Sequence, residues 1–120
     1  FTIKGLEGSI DLPTSRPCIT AHVQDKHMER IIMHPRDYNF NKSDMAWENL
    51  EEWKRLAFQA LNNKGTLIKN LYWNAGIYLW FAGLAKDLNE GIEQAEHYIS
   101  SGASLNSLNK LIAWRKSQSS

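Results

Sequence analysis

The stretch LYWNAGIYLWFAGLA, residues 71–85, decides how the rest of this chain can fold. It predicts a helix that is apolar nearly all round, which is typical of a central helix buried on most sides. It is too short to span a bilayer comfortably, and Asn74 interrupts it. Gly76 and Gly83 lie seven residues apart on one face, where another backbone has room to approach closely. The aromatic residues spread around the helix and predict core packing rather than an exposed stacking platform; they are Tyr72, Trp73, Tyr78, Trp80 and Phe81.

Helical spacing also precedes the central stretch. After a polar connector at 39–44, apolar residues recur three or four positions apart, which predicts a first helix. Its periodic residues are Trp47, Leu50, Trp53, Ala57, Ala60 and Leu61. Gly65 follows the last turn as a stop signal, and Thr66 then opens the central helix.

Two more helices are predicted after the central one. Asp87 and Glu90 have the spacing of a capping box at the start of the third helix. The predicted inward stripe of this helix is Leu88, Ile92, Ala95 and Ile99, and Gly102 ends it. Ser104 caps a fourth helix, whose predicted inward residues are Leu105, Leu108, Leu111 and Ile112. We expect the polar tail at 116–120 to fray.

The first 38 residues have a different character. Residues 1–4 alternate weakly, like the second half of a strand, and residues 5–13 contain two glycines and a proline, which predicts a loop. Residues 18–24 and 28–33 favour two strands joined by a polar turn at 25–27, and together they predict an antiparallel hairpin. Pro35 ends this hairpin because proline has no amide hydrogen to donate.

Composition limits the possible classes of protein. A chain of 120 residues is long enough for one domain, and its 42% hydrophobic content excludes a wholly disordered chain. Fourteen basic and thirteen acidic residues leave a net charge of +1, so the overall charge favours neither nucleic acid nor membrane. The single cysteine excludes an internal disulfide framework and fits a reducing compartment, so we expect a cytoplasmic location. The start of the chain lacks the pattern of a secretion signal, and we expect a piece of a longer protein.

Few residues have the pattern of a reactive site. The four histidines do not pair with other ligands at metal-binding spacing, and Cys18 within a strand predicts a buried inert thiol. The glycine segment, residues 4–11, is the exception because Glu7 and Asp11 are closely spaced carboxylates on a loop after a strand. Such oxygens are able to hold Mg²⁺. A tight turn with solvated acids is the simpler interpretation of the same residues.

Basic residues are grouped along the chain. After Glu52 they have no acidic counterpart in sequence until Asp87, and the last helix adds further bases without acids. These residues are Lys54, Arg55, Lys64, Lys69, Lys110, Arg115 and Lys116. Next to aromatic rings, such a surface is able to bind a nucleic-acid backbone. We favour ordinary placement of charges along helices, with nucleic-acid binding as the alternative.

The order of several motifs resembles the C-terminal part of anthranilate phosphoribosyltransferase and its relatives, the nucleoside-phosphorylase-like glycosyltransferases of family 3. The resemblance lies in KGLEGSID at 4–11, HPRDY at 34–38, Asn74-Ala75, AGLAKDLNEG at 82–91 and SGA at 101–103. It covers nearly the whole chain. It implies an α/β fold made of a strand, the glycine loop, the hairpin and about four packed helices.

The resemblance also implies a chemistry. Enzymes of this family transfer a phosphoribosyl group from phosphoribosyl pyrophosphate to anthranilate, a small aromatic acceptor, in tryptophan synthesis and use Mg²⁺. Gly5 and Gly8 match the two loop glycines of the family, whose following Asp-Glu pair binds the metal. Here only Asp11 of that pair is a carboxylate, with Glu7 nearby, and Lys4 replaces the usual histidine. A branch of the family with a degraded metal motif resembles nucleic-acid-binding proteins, and this loop is more similar to that branch.

We therefore expect residues 1–120 to form the C-terminal part of one α/β domain, with the strand, glycine loop and hairpin at 1–38 and a helical part at 45–117. As an isolated segment it is expected to catalyse nothing, and the intact protein is expected to be a homodimer that does not bind membranes. Three hypotheses follow: a phosphoribosyltransferase part, a nucleic-acid-binding relative, and a packing or dimerisation module.

Overall fold

The computed structural model describes residues 2–3, 12–40 and 49–118. Three strands come first: β1 (Thr2–Ile3), β2 (Cys18–Gln24) and β3 (His27–Met33). A short 3₁₀ helix at Pro35–Tyr38 leads toward the helical part. Four helices follow: α1 (Leu50–Leu61), α2 (Ile68–Phe81), α3 (Leu88–Ser100) and α4 (Ala103–Gln118). The predicted α/β class and the order of these elements are confirmed, whereas the glycine segment lies outside the described residues.

The strands form one antiparallel sheet in the order β1-β2-β3. The turn between β2 and β3 has only two residues, Asp25 and Lys26, both with positive φ (48° and 68°). Positive φ at both central positions matches the twist of a tight hairpin. His27 therefore belongs to β3 and not to the turn, one residue earlier than predicted.

The two faces of the sheet differ in what covers them. On the inner face Cys18, Thr20 and Met33 are almost completely buried against the helices. The other face, which we call the outer sheet face, carries four large apolar side chains, Ile19, Val23, Met28 and Ile32, each 48–73% exposed. The cross-strand pairs Ile19–Ile32 and Val23–Met28 each place two of them side by side, and the pair Ala21–Arg30 lies between these two pairs. Much of the outer sheet face is therefore apolar although it is exposed, which is typical of a sheet that is covered on both sides.

The α2–α3 pair forms the centre of the molecule. Gly76 of α2 lies against Gly91 of α3, and a Cβ atom added at Gly91 would be 2.2 Å from the Gly76 carbonyl oxygen. Two glycines therefore allow the two backbones to touch. The predicted close approach at Gly76 is confirmed, but the one at Gly83 is wrong. The helix ends at Phe81, and Gly83 follows it with a φ of +81° and no other group within 4 Å of the Cβ position.

The ends of the other helices follow their capping residues. The Asn49 side chain accepts a hydrogen bond from the Glu52 amide at 2.8 Å, and Asp87 does the same for the Glu90 amide. Each carboxamide or carboxylate satisfies an amide that the first helical turn leaves free. The α3 stripe Leu88, Ile92, Ala95 and Ile99 is buried as predicted.

The fourth helix packs less closely than predicted. Of its predicted inward residues, Leu105, Leu108 and Ile112 are half-buried and Leu111 is 58% exposed, and no residue of this helix is fully buried. Trp114 is 61% exposed. The helix continues to Gln118, so the tail that was expected to fray is helical at 116–118. Across the described ranges, no helix is both long enough and apolar enough to cross a membrane.

Candidate functional site

The residues that directly follow the glycine segment are held against α2. Leu12 and Thr14 are 2% and 1% exposed. The Leu12 amide donates a 2.7 Å hydrogen bond to Asn74 Oδ1, and Asn74 Nδ2 donates to the Leu12 carbonyl at 3.0 Å. Asn74 Nδ2 also donates to the Asn70 carbonyl one turn earlier, at 3.0 Å. A single side chain on the central helix thus binds both polar groups of the Leu12 backbone.

Two weaker contacts continue this attachment along the chain. Asn70 Nδ2 lies 3.5 Å from Thr14 Oγ1, at the limit of a hydrogen bond. The Cys18 thiol, 4% exposed, contacts the Pro13 carbonyl at 3.4 Å. The thiol is buried as predicted, which fits an inert cysteine rather than a nucleophile.

Aromatic rings pack around Trp73, the residue of α2 that precedes Asn74. Trp73 is fully buried, and its ring centroid lies 5.7 Å from that of Tyr38 and 5.4 Å from that of Phe40. Burial, together with the nearby charges of Asp37 and Asp87, raises the pKa of Tyr38. The phenol therefore stays protonated at neutral pH.

Tyr72 has a similar character. Burial raises its pKa, and the charge of Glu96 adds to that effect. Its hydroxyl donates to Asn63 Oδ1, which ties the start of the α1–α2 connection to α2. Lys69 Nζ lies 5.9 Å from the ring centroid of Tyr72 and equally far from that of Phe40. This exposed ammonium group is therefore partly engaged by aromatic faces.

The residues predicted to contact metal or phosphate lie in the glycine segment. Gly5, Glu7, Gly8 and Asp11 fall outside the described residues, so their predicted roles stay predictions. Asp11 is joined directly to Leu12, and the amide that Asn74 accepts from belongs to the peptide bond between these two residues. Leu12, whose backbone binds Asn74, therefore directly follows Asp11, the acidic residue that matches the family motif.

Two of the basic residues predicted to bind nucleic acid are paired with acids. Lys54 Nζ lies 3.7 Å from Glu51, and Arg55 Nε donates to Glu52 at 3.0 Å. The prediction that Lys54 and Arg55 are unopposed is wrong, because each finds an acid one turn earlier on the same helix. The Arg55 hydrogen bond also lowers the pKa of Glu52. The other bases are exposed: Lys64, Lys69, Lys110, Arg115 and Lys116.

The histidines do not converge. His22 stacks on Phe81 with ring centroids 5.6 Å apart. Within 2–3, 12–40 and 49–118, no three His, Cys, Asp or Glu side chains are grouped closely enough to hold a metal ion.

An apolar groove runs between the helices on the side of α4. Its volume is about 670 Å³, and its wall includes Leu71, Tyr78 and Leu79 of α2, Tyr98 and Ile99 of α3, and Ser107 of α4. Its walls offer few polar groups, which suits an apolar side chain better than a phosphate ester.

Known proteins resemble this chain over almost its whole length. Anthranilate phosphoribosyltransferase of Polynucleobacter asymbioticus is 27% identical over 117 residues, which is 94% of this chain and 34% of the relative. The protein of the same name from Polynucleobacter necessarius is 27% identical over 98% of this chain, and one from Bacillus cereus is 30% identical over 76% of it. No family model matches the chain.

The predicted resemblance to anthranilate phosphoribosyltransferases is confirmed by these relatives. The chain spans about a third of the length of the curated relatives it matches. The sequence shows Asn74 as the only amide in the apolar stretch 71–85, but it does not show which groups this side chain binds. Its partner Leu12 is 62 residues away, and no periodicity connects the two.

Proposed function

We propose that this chain is one part of a longer anthranilate phosphoribosyltransferase-like protein that binds phosphoribosyl pyrophosphate. The observation that carries this proposal is the similarity to enzymes of that name over 94–98% of the chain. The relatives are about three times as long, so the chain supplies only one portion of such a protein. By itself this portion is inactive, because a transferase needs groups from both substrate sites to orient the reacting atoms.

The outer sheet face supports an assignment to a larger body. The pairs Ile19–Ile32 and Val23–Met28 expose apolar surface on both sides of Arg30, on a sheet whose other face is partly buried against the helices. Apolar surface of this kind is stabilised when another layer removes it from water. In the longer protein, further chain covers this face.

The glycine segment supplies the ligand contacts in this proposal. Gly5 and Gly8 let the backbone approach a phosphate, and Asp11, with help from Glu7, provides carboxylate oxygens of the kind Mg²⁺ prefers. When bound, the ion would neutralise the pyrophosphate leaving group. Asp11 and Glu7 would hold it there, and the buried Leu12 beside Asp11 anchors the loop to α2.

A calorimetric titration of the longer protein with phosphoribosyl pyrophosphate and MgCl₂ tests the proposal. We expect saturable binding that weakens at least about tenfold in Asp11→Ala, as for loss of a charged contact. Glu93→Ala, an exposed change on α3, is the matched control and is expected to bind normally.

The outcomes separate the function from the site. A longer protein that binds no phosphoribosyl pyrophosphate contradicts the proposed function. Binding that is unchanged in Asp11→Ala contradicts the role of Asp11 alone. Binding of single-stranded DNA with a steep salt dependence, lost when Lys64 and Lys69 become alanine, would instead support the nucleic-acid-binding alternative.

A further inference from the structure

Asn74 occupies an unusual position for an amide side chain. It lies in the middle of α2, between the fully buried Trp73 and the buried Gly76. The residues that flank it on this helix are otherwise suited to apolar packing, and a leucine at this position would continue the pattern. A polar group there needs partners to offset the loss of water.

Among the described residues, Asn74 binds backbone groups. Its oxygen accepts from the Leu12 amide at 2.7 Å, and its nitrogen donates to the Leu12 and Asn70 carbonyls at 3.0 Å each. Because a carboxamide has one acceptor end and one donor end, it is able to bind both groups of one residue as a neighbouring strand would. Leu12 lies in an irregular segment, where such groups have no regular ladder.

The two ends of the Asn74 carboxamide bind the two peptide groups that flank Leu12. The Leu12 amide belongs to the bond that joins Leu12 to Asp11, so the Asn74 oxygen restrains the peptide group immediately before Leu12. The Asn74 nitrogen binds the Leu12 carbonyl, which belongs to the following peptide group. Asn70 adds a longer contact of 3.5 Å to the Thr14 hydroxyl.

We propose that Asn74 is a positioning residue, which fixes the backbone of Leu12 and thereby supports ligand binding at the neighbouring residue in the chain, Asp11. This inference rests on the proposed function, because the ligand is phosphoribosyl pyrophosphate with Mg²⁺. Asn74 itself acts through the Leu12 backbone and touches no reacting atom in this proposal.

Hydrogen exchange measured by NMR on the 120-residue chain tests the restraint directly. In Asn74→Leu the Leu12 amide is expected to exchange about tenfold faster or more, because its acceptor is gone, while the amides of α3 keep their rates. Ile99→Val, a buried change on α3, is the control for general loss of stability. An unchanged Leu12 rate in Asn74→Leu, or an equal increase in Ile99→Val, overturns the inference.

A double-mutant cycle in the longer protein tests the link to the ligand. Asn74→Leu is expected to weaken binding of phosphoribosyl pyrophosphate with Mg²⁺ by about tenfold in the unsubstituted background, and to have little further effect in Asp11→Ala. Asn74→Asp keeps the acceptor for the Leu12 amide and is expected to retain more affinity than Asn74→Leu.

The two proposals fail in different ways. Normal affinity in Asn74→Leu, or losses that simply add in the double variant, overturns the positioning role while leaving the proposed function intact. Absence of binding by the unsubstituted longer protein overturns the proposed function, and the positioning role with it.

Discussion

Helices α3 and α4 are joined by a short turn, yet they relate to the core in opposite ways. Leu88, Gly91, Ile92, Ala95 and Ile99 of α3 are buried, and no residue of α4 is. Both helices carry leucines and isoleucines, so apolar content does not explain the difference. What separates them is the contact at Gly91, which lets the α3 backbone touch Gly76 of α2.

The comparison shows that a helix needs a matching surface as well as an apolar stripe. Close approach of two backbones brings the flanking side chains into dense contact, where each buried methylene contributes about 0.8 kcal/mol. Helix α4 meets no such surface within the described residues, and Leu111 and Trp114 stay largely in water. Its apolar side chains are available to the rest of the longer protein that we propose.

Among the substitutions that test this comparison, we expect Gly91→Val to cause the largest loss of stability. Its first added carbon would lie 2.2 Å from the Gly76 carbonyl oxygen, so α2 and α3 must separate. We expect the free energy of unfolding to fall by more than about 4 kcal/mol, measured by urea denaturation of the 120-residue chain. Glu93→Val introduces the same side chain on the exposed side of α3, and its loss should stay below about 1 kcal/mol. Equal losses in the two variants would contradict the backbone contact.

Truncating one large side chain on each helix sharpens the comparison. Ile99→Ala, at 3% exposure, is expected to lower the free energy of unfolding by about 2–5 kcal/mol through lost burial and a cavity. Leu111→Ala, at 58% exposure, should change it by less than about 1 kcal/mol in the 120-residue chain. A loss for Leu111→Ala as large as that for Ile99→Ala would show that α4 packs as the sequence predicts.

The smallest expected effect on stability concerns α1, a helix that is less buried than α3 and more buried than α4. Because Arg55 hydrogen-bonds Glu52 and lowers its pKa below the ordinary 4.5, the charged pair contributes stability above that pH. The contribution is lost as the pH falls through the lowered pKa. Glu52→Gln is therefore expected to reduce the urea midpoint slightly at pH 7 and to leave it unchanged near pH 3. A difference that grows toward acid would contradict this sign.

Local signals explain where the sequence predicted the elements correctly. The hairpin and the start of α3 are fixed by residues within a few positions of each other, such as Asp25-Lys26 and Asp87 with Glu90. Helix α2 ends four residues earlier than the apolar stretch 71–85 predicts. Ala82 and Leu84 continue the apolar pattern, but Gly83 adopts a left-handed conformation that stops the helix. The acidic partners of Lys54 and Arg55 are not predicted from the sequence. Glu51 and Glu52 precede these bases in the chain, and they become neighbours only because the segment is a helix.

By itself the sequence determined the α/β class, the central place of α2, the Asp87 cap of α3 and the resemblance to anthranilate phosphoribosyltransferases, because these depend on composition, on local spacing and on the order of short motifs. Only the tertiary structure decided that Asn74 binds the Leu12 backbone, that the α3 backbone meets α2 at Gly76 and not at Gly83, and that no residue of α4 is buried. These features depend on contacts between residues far apart in the chain, and no local pattern of hydrophobicity or charge specifies which distant surfaces meet.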